Sequence, residues 1–539
     1  MRTDDTATLL VGLALASGAE FFHTPDGDAY VRIPVRGHHE ILAVLGRGLR
    51  QWLSQVFHAT SGKVPNSSAL SDAVTQLAGR SRFEGAEYPV FVRVAAGSDV
   101  VWLDLGGPNW NAIRVSADGW DLVSDPPIRF RRSKGLLALP EPIPGTIDAL
   151  RPFVNVSDDD QFVLLVAWLT AALRGRKPFP VLSVTGEQGS AKTTLCGFQR
   201  RLIDPNVAPT RLMPREPRDL MVAASNSYIL SFDNVSQIPP WLSDALCCLA
   251  TGIGFATREL YTDADEAIFT VARPVMLNGI TDIVTRPDLL DRALLVTLKN
   301  IPDDERRSEA ELEADFTAAH PVILGALLGA VSAALRDEHA VHLASRPRMA
   351  DFVTIAVAAC AALPWPADAF LSSYANNRDG AIGAVLEGDP VADAVIVLAE
   401  AGWAGTATEL LEAINEHTPE ARRGRRWFTR GKELSAVLRR LAPALRRTGV
   451  LIDFGGIERG RSHRLIHIRK AGDDAVTAVT RNRGGLVTAA GGGQVTPSVA
   501  EAVSNAAVTP VTAPPETFSL TQDSEFDTEP AWDDDWGRV

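Results

Sequence analysis

Hydrophobic and polar positions follow three rhythms along this chain. Short apolar runs that stop at a glycine or polar residue occupy 181–184, 227–235 and 274–277. Runs of that length read as strands buried on both faces, the kind found in a parallel sheet. Period-two alternation occupies 88–94, 100–103 and 112–115. It also flanks the Asp-Gly turn within 21–35, which predicts a hairpin. Helical periodicity runs over 6–16, 41–59, 68–77, 158–173, 241–250, 317–335, 390–402, 406–416 and 432–449. The stretch 351–363 is apolar nearly all round, which predicts a buried helix.

These rhythms divide the chain into an α/β accessory domain and linker (1–145), an α/β core (146–300), a helical lid or connector (301–387) and a small basic domain (388–470). Residues 471–539 are rich in Gly, Ala, Val, Thr and Pro and end in SEFDTEPAWDDDWGRV, the composition of a disordered acidic tail.

Composition narrows the picture. At 539 residues the chain has room for three or four domains of about 150 residues each. It is 46% hydrophobic and 22% charged, ordinary for a globular protein. No continuous apolar run reaches about 18 residues, so no membrane contact is expected. The start, MRTDDTATLL, is acidic where an export signal is basic, so a cytoplasmic location is expected. Cys196, Cys247, Cys248 and Cys360 form no C-x-x-C pair, and the ten histidines are scattered, so neither a disulfide framework nor a zinc site is implied. Asp26 and Asp28 sit in the predicted hairpin turn and read as turn chemistry rather than as a metal-binding pair.

The chemistry begins after the run at 181–184. Residues 186–194 read GEQGSAKTT and match the phosphate-loop pattern G-x-x-x-x-G-K-[ST], except that Ala191 stands at the second glycine. Gly186 lets the chain leave its strand sharply. Glu187, Gln188, Gly189, Ser190 and Ala191 offer inward-facing N–H groups, and the helix that follows directs its positive end at the same anion. Lys192 is expected to reach the β- and γ-phosphates of ATP, Thr193 to ligate Mg²⁺, and Thr194 to complete the cradle. Ala191 falls where the helix begins, so an ordinary right-handed conformation is expected there.

Later segments supply the partners such a loop needs. The strand in SYILSFDNV delivers Asp233, a second Mg²⁺ ligand, about 40 residues after Lys192. The strand at 274–277 ends in Asn278, well placed to orient an attacking water. RPDLLDRALLVTL offers Arg286 and Arg292; an arginine presented to a neighbouring subunit's nucleotide clamps transition-state charge.

Charge is uneven. The net value is −13, yet 421–470 carries 15 Lys and Arg against 3 Asp and Glu. That footprint suits a phosphate backbone, with Arg439, Arg440, Arg446 and Arg447 on a candidate recognition helix. Helix, helix, helix, hairpin is also the winged-helix order. A second cluster, Arg129, Arg131, Arg132 and Lys134 in the proline-rich linker 124–145, either touches nucleic acid or lies on a solvated strand edge.

The order GEQGSAKT, SFDN (231–234), TGIGFATRELY (251–261), LNG (277–279) and RPDLLDRAL (286–294) resembles the superfamily 3 helicases of the AAA+ class. The likeness is to the ATPase modules of phage, plasmid and integrative-element primase-helicases, and TGIGFATRELY is similar to the segment leading into their DNA-facing hairpin. The resemblance implies a P-loop AAA+ core that binds ATP and Mg²⁺, with Asn278 as sensor and Arg292 as arginine finger. It also implies a hexameric ring around DNA, with Arg258 near the tracking hairpin.

The chain departs from that pattern in three places: Ala191, Asn234 where many relatives carry a glutamate base, and an acidic hairpin tip, YTDADEA (261–267). The expected function is an ATP-dependent DNA helicase or translocase replicating a phage or mobile element. The alternative is an ATP-binding, DNA-bound initiator or defence switch that assembles without unwinding. A third reading is a signalling NTPase with a protein partner.

Overall fold

The computed structural model describes residues 3–258, 266–269, 271–280, 283–387, 389–423, 427–455 and 465–471. It is a mixed α/β molecule with several sheets. The apolar runs form the central one. Its strands lie in the order Leu230–Phe232, Val275–Gly279, Val181–Thr185, Ala293–Thr297, all parallel. Parallel strands covered on both faces need apolar residues of both parities, which is why these segments are continuous runs. Leu182, Val184, Met276, Leu294 and Val296 point into one core, with helices Asp159–Arg174 and Lys192–Ile203. Val181, Leu230, Phe232, Val275 and Leu277 point into the other, with helices Pro217–Asn226 and Pro240–Thr251. In the helix Pro217–Asn226, Pro217 pre-sets the first turn.

The first core extends well past the sheet. Helices Glu309–Asp337, Ala350–Ala359 and Ala367–Leu386 pack on it, so the segment expected as a lid shares its apolar core with the central sheet. Ser308 and Glu311 close a capping box at the start of the longest of these helices. That helix is long and apolar enough to cross a membrane by length and composition, but 67% of its apolar window is buried inside the fold.

The N-terminal segment is two sheets. The first runs His38–Ala43, Ala29–Val35, Glu20–His23, Ala86–Glu87, with helices Thr3–Ala16, Arg47–Ser61 and Ser67–Phe83 against it. The strand His38–Ala43 corrects the expectation of a helix from residue 41. Arg36 and Gly37, both at positive φ, turn the chain back so that 38–43 pairs with 30–35. In the hairpin turn, Asp28 N–H donates to Thr24 Oγ1 at 3.1 Å and Gly27 N–H to Thr24 O at 2.8 Å. The second sheet is an antiparallel meander, Val94–Ala96, Val101–Asp104, Ala112–Ser116, Gly119–Val123. Its inner residues Val94, Val101, Leu103, Ile113 and Val115 belong to the main core.

The linker is a strap tied to the body. Ile143 passes so close to the long helix that a Cβ on Gly325 would lie 2.0 Å from its carbonyl oxygen. The three arginines of the basic cluster are consumed in the same way, while Lys134 is exposed. Arg129 pairs with Glu20 at 2.8 Å and lies 3.3 Å above the Tyr88 ring. Arg131 donates to Ser225 O and Asn226 Oδ1. Arg132 grips both oxygens of the buried Asp104 at 2.6 and 2.9 Å and covers Trp110.

The C-terminal unit has its own core around Leu410, Leu434, Leu438, Ile466 and Ile468. Helices Pro390–Ala401, Ala407–His417 and Gly431–Arg447 pack on a three-stranded sheet ordered Trp403–Gly405, Ile466–Lys470, Val450–Phe454. The loop between its last two strands and the acidic tail from 472 lie outside the described residues.

Candidate nucleotide and nucleic-acid sites

The strand Val181–Thr185 runs straight into the glycine-rich loop, and the helix starts at Lys192. A Cβ on Gly186 would meet Ser190 Oγ at 2.6 Å, so the loop closes only around glycine. Ser190 is buried and its hydroxyl donates to Glu187 O at 2.9 Å, pinning the turn, while Glu187, Gln188 and Gly189 are exposed at its tip. Gly189 has φ +85 and carries the chain through the left-handed region.

Ala191 corrects the sequence reading. It is not right-handed: φ is 61° and ψ is 30°. The glycine of the pattern is needed because the chain must reverse its N–H direction one residue before the helix. Alanine takes that conformation at a cost of about 1–2 kcal/mol.

Lys192 folds over the loop, donating to Gly186 O at 2.8 Å and Glu187 O at 2.6 Å. Partial burial lowers its pKa, and the nearby Asp233 carboxylate works against that. Thr193 Oγ1 donates to Asp233 Oδ1 at 3.2 Å, bringing together two residues 40 apart in sequence. Thr210 Oγ1 holds the other oxygen at 3.4 Å. Thr194 is half-buried in the first helical turn.

Asn278 lies inside the strand Val275–Gly279, not after it, in register with Val184. Its Oδ1 accepts from Asn234 N–H at 3.1 Å. Its amide nitrogen is buried and has no hydrogen-bond partner among the described residues. Beside it, burial pushes the Cys196 thiol up to about 12, so this cysteine is an inert apolar filler. Asn234 is exposed, at φ 55°, directly after Asp233.

A cleft of about 530 Å³ opens beside the loop, lined by Thr185, Gly186, Glu187, Ile280, Leu298 and Asn300. That volume is in the range of small-molecule sites, about 300–1,000 Å³. Among the described residues no cluster of three or more His, Cys, Asp or Glu could hold a metal alone. One carboxylate plus one hydroxyl suits Mg²⁺, which takes its remaining ligands from phosphate and water.

Arg292 lies at the other end of the sheet. Its carbonyl accepts from Val181 N–H, four residues before Thr185, so a strand length of roughly 13 Å separates it from its own loop. Its Nη1 donates to Asp288 O at 2.6 Å, near Cys247, and its Nε is buried without a partner among the described residues. Arg286 is paired with Asp244 at 2.8 Å.

Two residues near the loop carried no sequence signal. Thr210 sits in an irregular stretch. Arg306 sits in an acidic-basic run that reads only as a helix approach, yet its Nη2 lies 2.8 Å from where a Cβ on Gly189 would be.

The C-terminal arginines divide. Arg440 lines a cavity of about 550 Å³ against the sheet edge, and Arg447 pairs with Asp379 at 3.5 Å. The four arginines expected on the recognition helix therefore do not all point the same way. A helix turns about 100° per residue, so 440 and 447, though exposed, share the side that meets the body, while Lys432, Arg439 and Arg446 form a neighbouring exposed stripe. Arg439 lies 4.2 Å above the Phe454 ring. Arg258 stands opposite Glu266 in the backbone register of a short antiparallel hairpin. The tip at 259–265 lies outside the described residues.

Two family descriptions match the chain. The actinomycete integrative conjugative element replication protein matches residues 147–379, and the C-terminal domain of these RepA proteins matches 391–482. No curated protein matches. Among solved structures, an apo form of the NrS-1 C-terminal region is similar at 11% identity and TM-score 0.39, covering 86% of this chain and 98% of that one. A second apo structure of that region is similar at 9% identity and TM-score 0.37, covering 87% of this chain and 99% of the other.

Proposed function

Starting from a replication protein of an integrative conjugative element, we propose that this chain is an ATP-dependent DNA helicase or translocase. Its core is a P-loop ATPase of the superfamily 3, AAA+ type, its C-terminal unit is a winged-helix DNA-binding module, and it works in the cytoplasm. The observation that carries the reading is the meeting of Lys192, Thr193 and Asp233 at the mouth of a glycine-rich loop. Sheet order supports it as well: the Asp233 and Asn278 strands follow one another on one side of the loop strand, so their polar ends converge there.

In this reading Lys192 swings from the loop carbonyls to the phosphate tail of ATP, and the loop N–H groups hold the remaining oxygens. Thr193 and Asp233 hold Mg²⁺, which neutralises charge on the transferring phosphate. Asn278 orients the attacking water through its unpaired amide. Arg292 is too far along the sheet to serve its own loop, so it serves a neighbour's, which requires a closed ring, a hexamer by family resemblance. Lys432, Arg439 and Arg446 contact the DNA backbone. The test is DNA-stimulated ATP hydrolysis with strand separation on a forked substrate, both lost in Lys192→Ala. Unwinding that persists in that variant overturns the reading.

Asn234 favours a second reading. An amide cannot accept the proton of the attacking water, so turnover is slow and the chain acts as an ATP-dependent initiator that assembles on DNA. ATP-dependent assembly without strand separation distinguishes it.

A further inference from the structure

A second cation overhangs the phosphate loop, from outside every motif of the core. The chain leaves the edge strand Ala293–Thr297 and, before entering the helix Glu309–Asp337, brings Arg306 back over Gly189. The guanidinium occupies the space a side chain at 189 would fill, with Nη2 at 2.8 Å from that point. Its ion-pair partner is Asp303, at 2.9 Å, whose side chain is 91% exposed; the arginine side chain is 50% exposed. Lys192 covers the loop from the side of Gly186 and Glu187. Two cations therefore flank one glycine-rich loop.

We infer that Arg306 is a binding residue for the triphosphate tail, acting in cis, and that Asp303 holds it in waiting. This rests on the nucleotide reading above. An exposed ion pair contributes little, so an incoming phosphate oxygen exchanges readily for the Asp303 carboxylate. The charge-assisted, two-pronged contact that a planar guanidinium makes with phosphate is the stronger of the two. The bare glycine at 189 is what lets the guanidinium reach the loop backbone at all.

The test is ATP–Mg²⁺ affinity by titration calorimetry on the full chain, with melting temperature measured in the absence of nucleotide. Arg306→Gln weakens binding by about tenfold or more and leaves the nucleotide-free melting temperature unchanged, because Arg306 holds nothing buried. Arg306→Lys recovers part of the loss. Asp303→Asn tightens binding by about two- to threefold, since it removes the competing carboxylate. If Arg306→Gln binds ATP as the parent does while Lys192→Ala loses binding, this inference fails and the nucleotide reading stands. If the parent chain binds no ATP, both fail.

Discussion

The arginines of the strap at 129–132 and those of the helix Gly431–Arg447 look alike in the sequence and differ in the fold. In the strap each guanidinium is used up on a carboxylate, a carbonyl or a ring. On the helix, Lys432, Arg439 and Arg446 stay exposed along one stripe with no ion pair among the described residues, Arg439 resting only on the Phe454 ring. Helix periodicity separates the two outcomes: residues seven apart share a face, and a face is either docked or free. The strap has no such repeat, and its arginines find partners up to 109 residues away. A basic cluster thus reports a phosphate-binding surface only where the fold leaves its charges unclaimed.

The buried side of that comparison is broken most forcefully at Arg93. It is fully buried, bonded to Asp204 at 3.3 Å and to the carbonyls of Asp104 and Leu137 at 2.9 and 2.7 Å. Burial lowers its pKa, and the Asp204 carboxylate opposes that. Arg93→Met leaves Asp204 without one of its cations, and chemical denaturation should register a loss of about 3–5 kcal/mol. DNA affinity per folded molecule should not change.

His320 sharpens the same side. It is buried beside Phe316, and burial lowers its pKa to about 4, with Arg201 adding to the effect. The unfolded chain takes up the proton near pH 6.5, the fold only near 4. Stability is therefore steady above about pH 7 and falls as pH drops from 6.5 to 4, by roughly 3 kcal/mol from this group. A melting series across that range should carry the slope, and His320→Gln should flatten it.

On the exposed side, replacing Lys432, Arg439 and Arg446 with alanine should reduce the salt dependence of DNA binding by about one ion per residue, with only the small drop in melting temperature that losing the Arg439–Phe454 contact brings. Replacing Arg129, Arg131 and Arg132 should do the opposite: lower melting temperature, same salt slope. Equal slopes from the two triple variants would dissolve the comparison.

The smallest effect is at the loop. Ala191→Gly relieves a left-handed alanine but loosens the unfolded chain by about 0.4–1 kcal/mol, so the net gain is at most about 1.6 kcal/mol, seen as a rise of about one degree in melting temperature.

Legibility followed the range of the interactions. The loop strand, its helix and the strand bearing Asp233 could be read because each is written in adjacent residues: an apolar run, a glycine signature, a polar stop. The backbone angle at Ala191 could not, since it depends on where the helix is forced to begin. The strand His38–Ala43 was hidden because HHEILA satisfies helix and strand patterns alike, and pairing with 30–35 decided it. The Arg93–Asp204 pair spans 111 residues, beyond any local pattern. Arg306 was missed for the same reason, because its place over Gly189 comes from the chain's return after the edge strand.

The central claim is that a triphosphate lies on the loop at Lys192 with its magnesium between Thr193 and Asp233. Titration calorimetry with ATP–Mg²⁺ tests it most directly: the parent chain should give saturable heat and a higher melting temperature, both absent in Lys192→Ala. No heat and no shift from the parent chain at saturating nucleotide would contradict it.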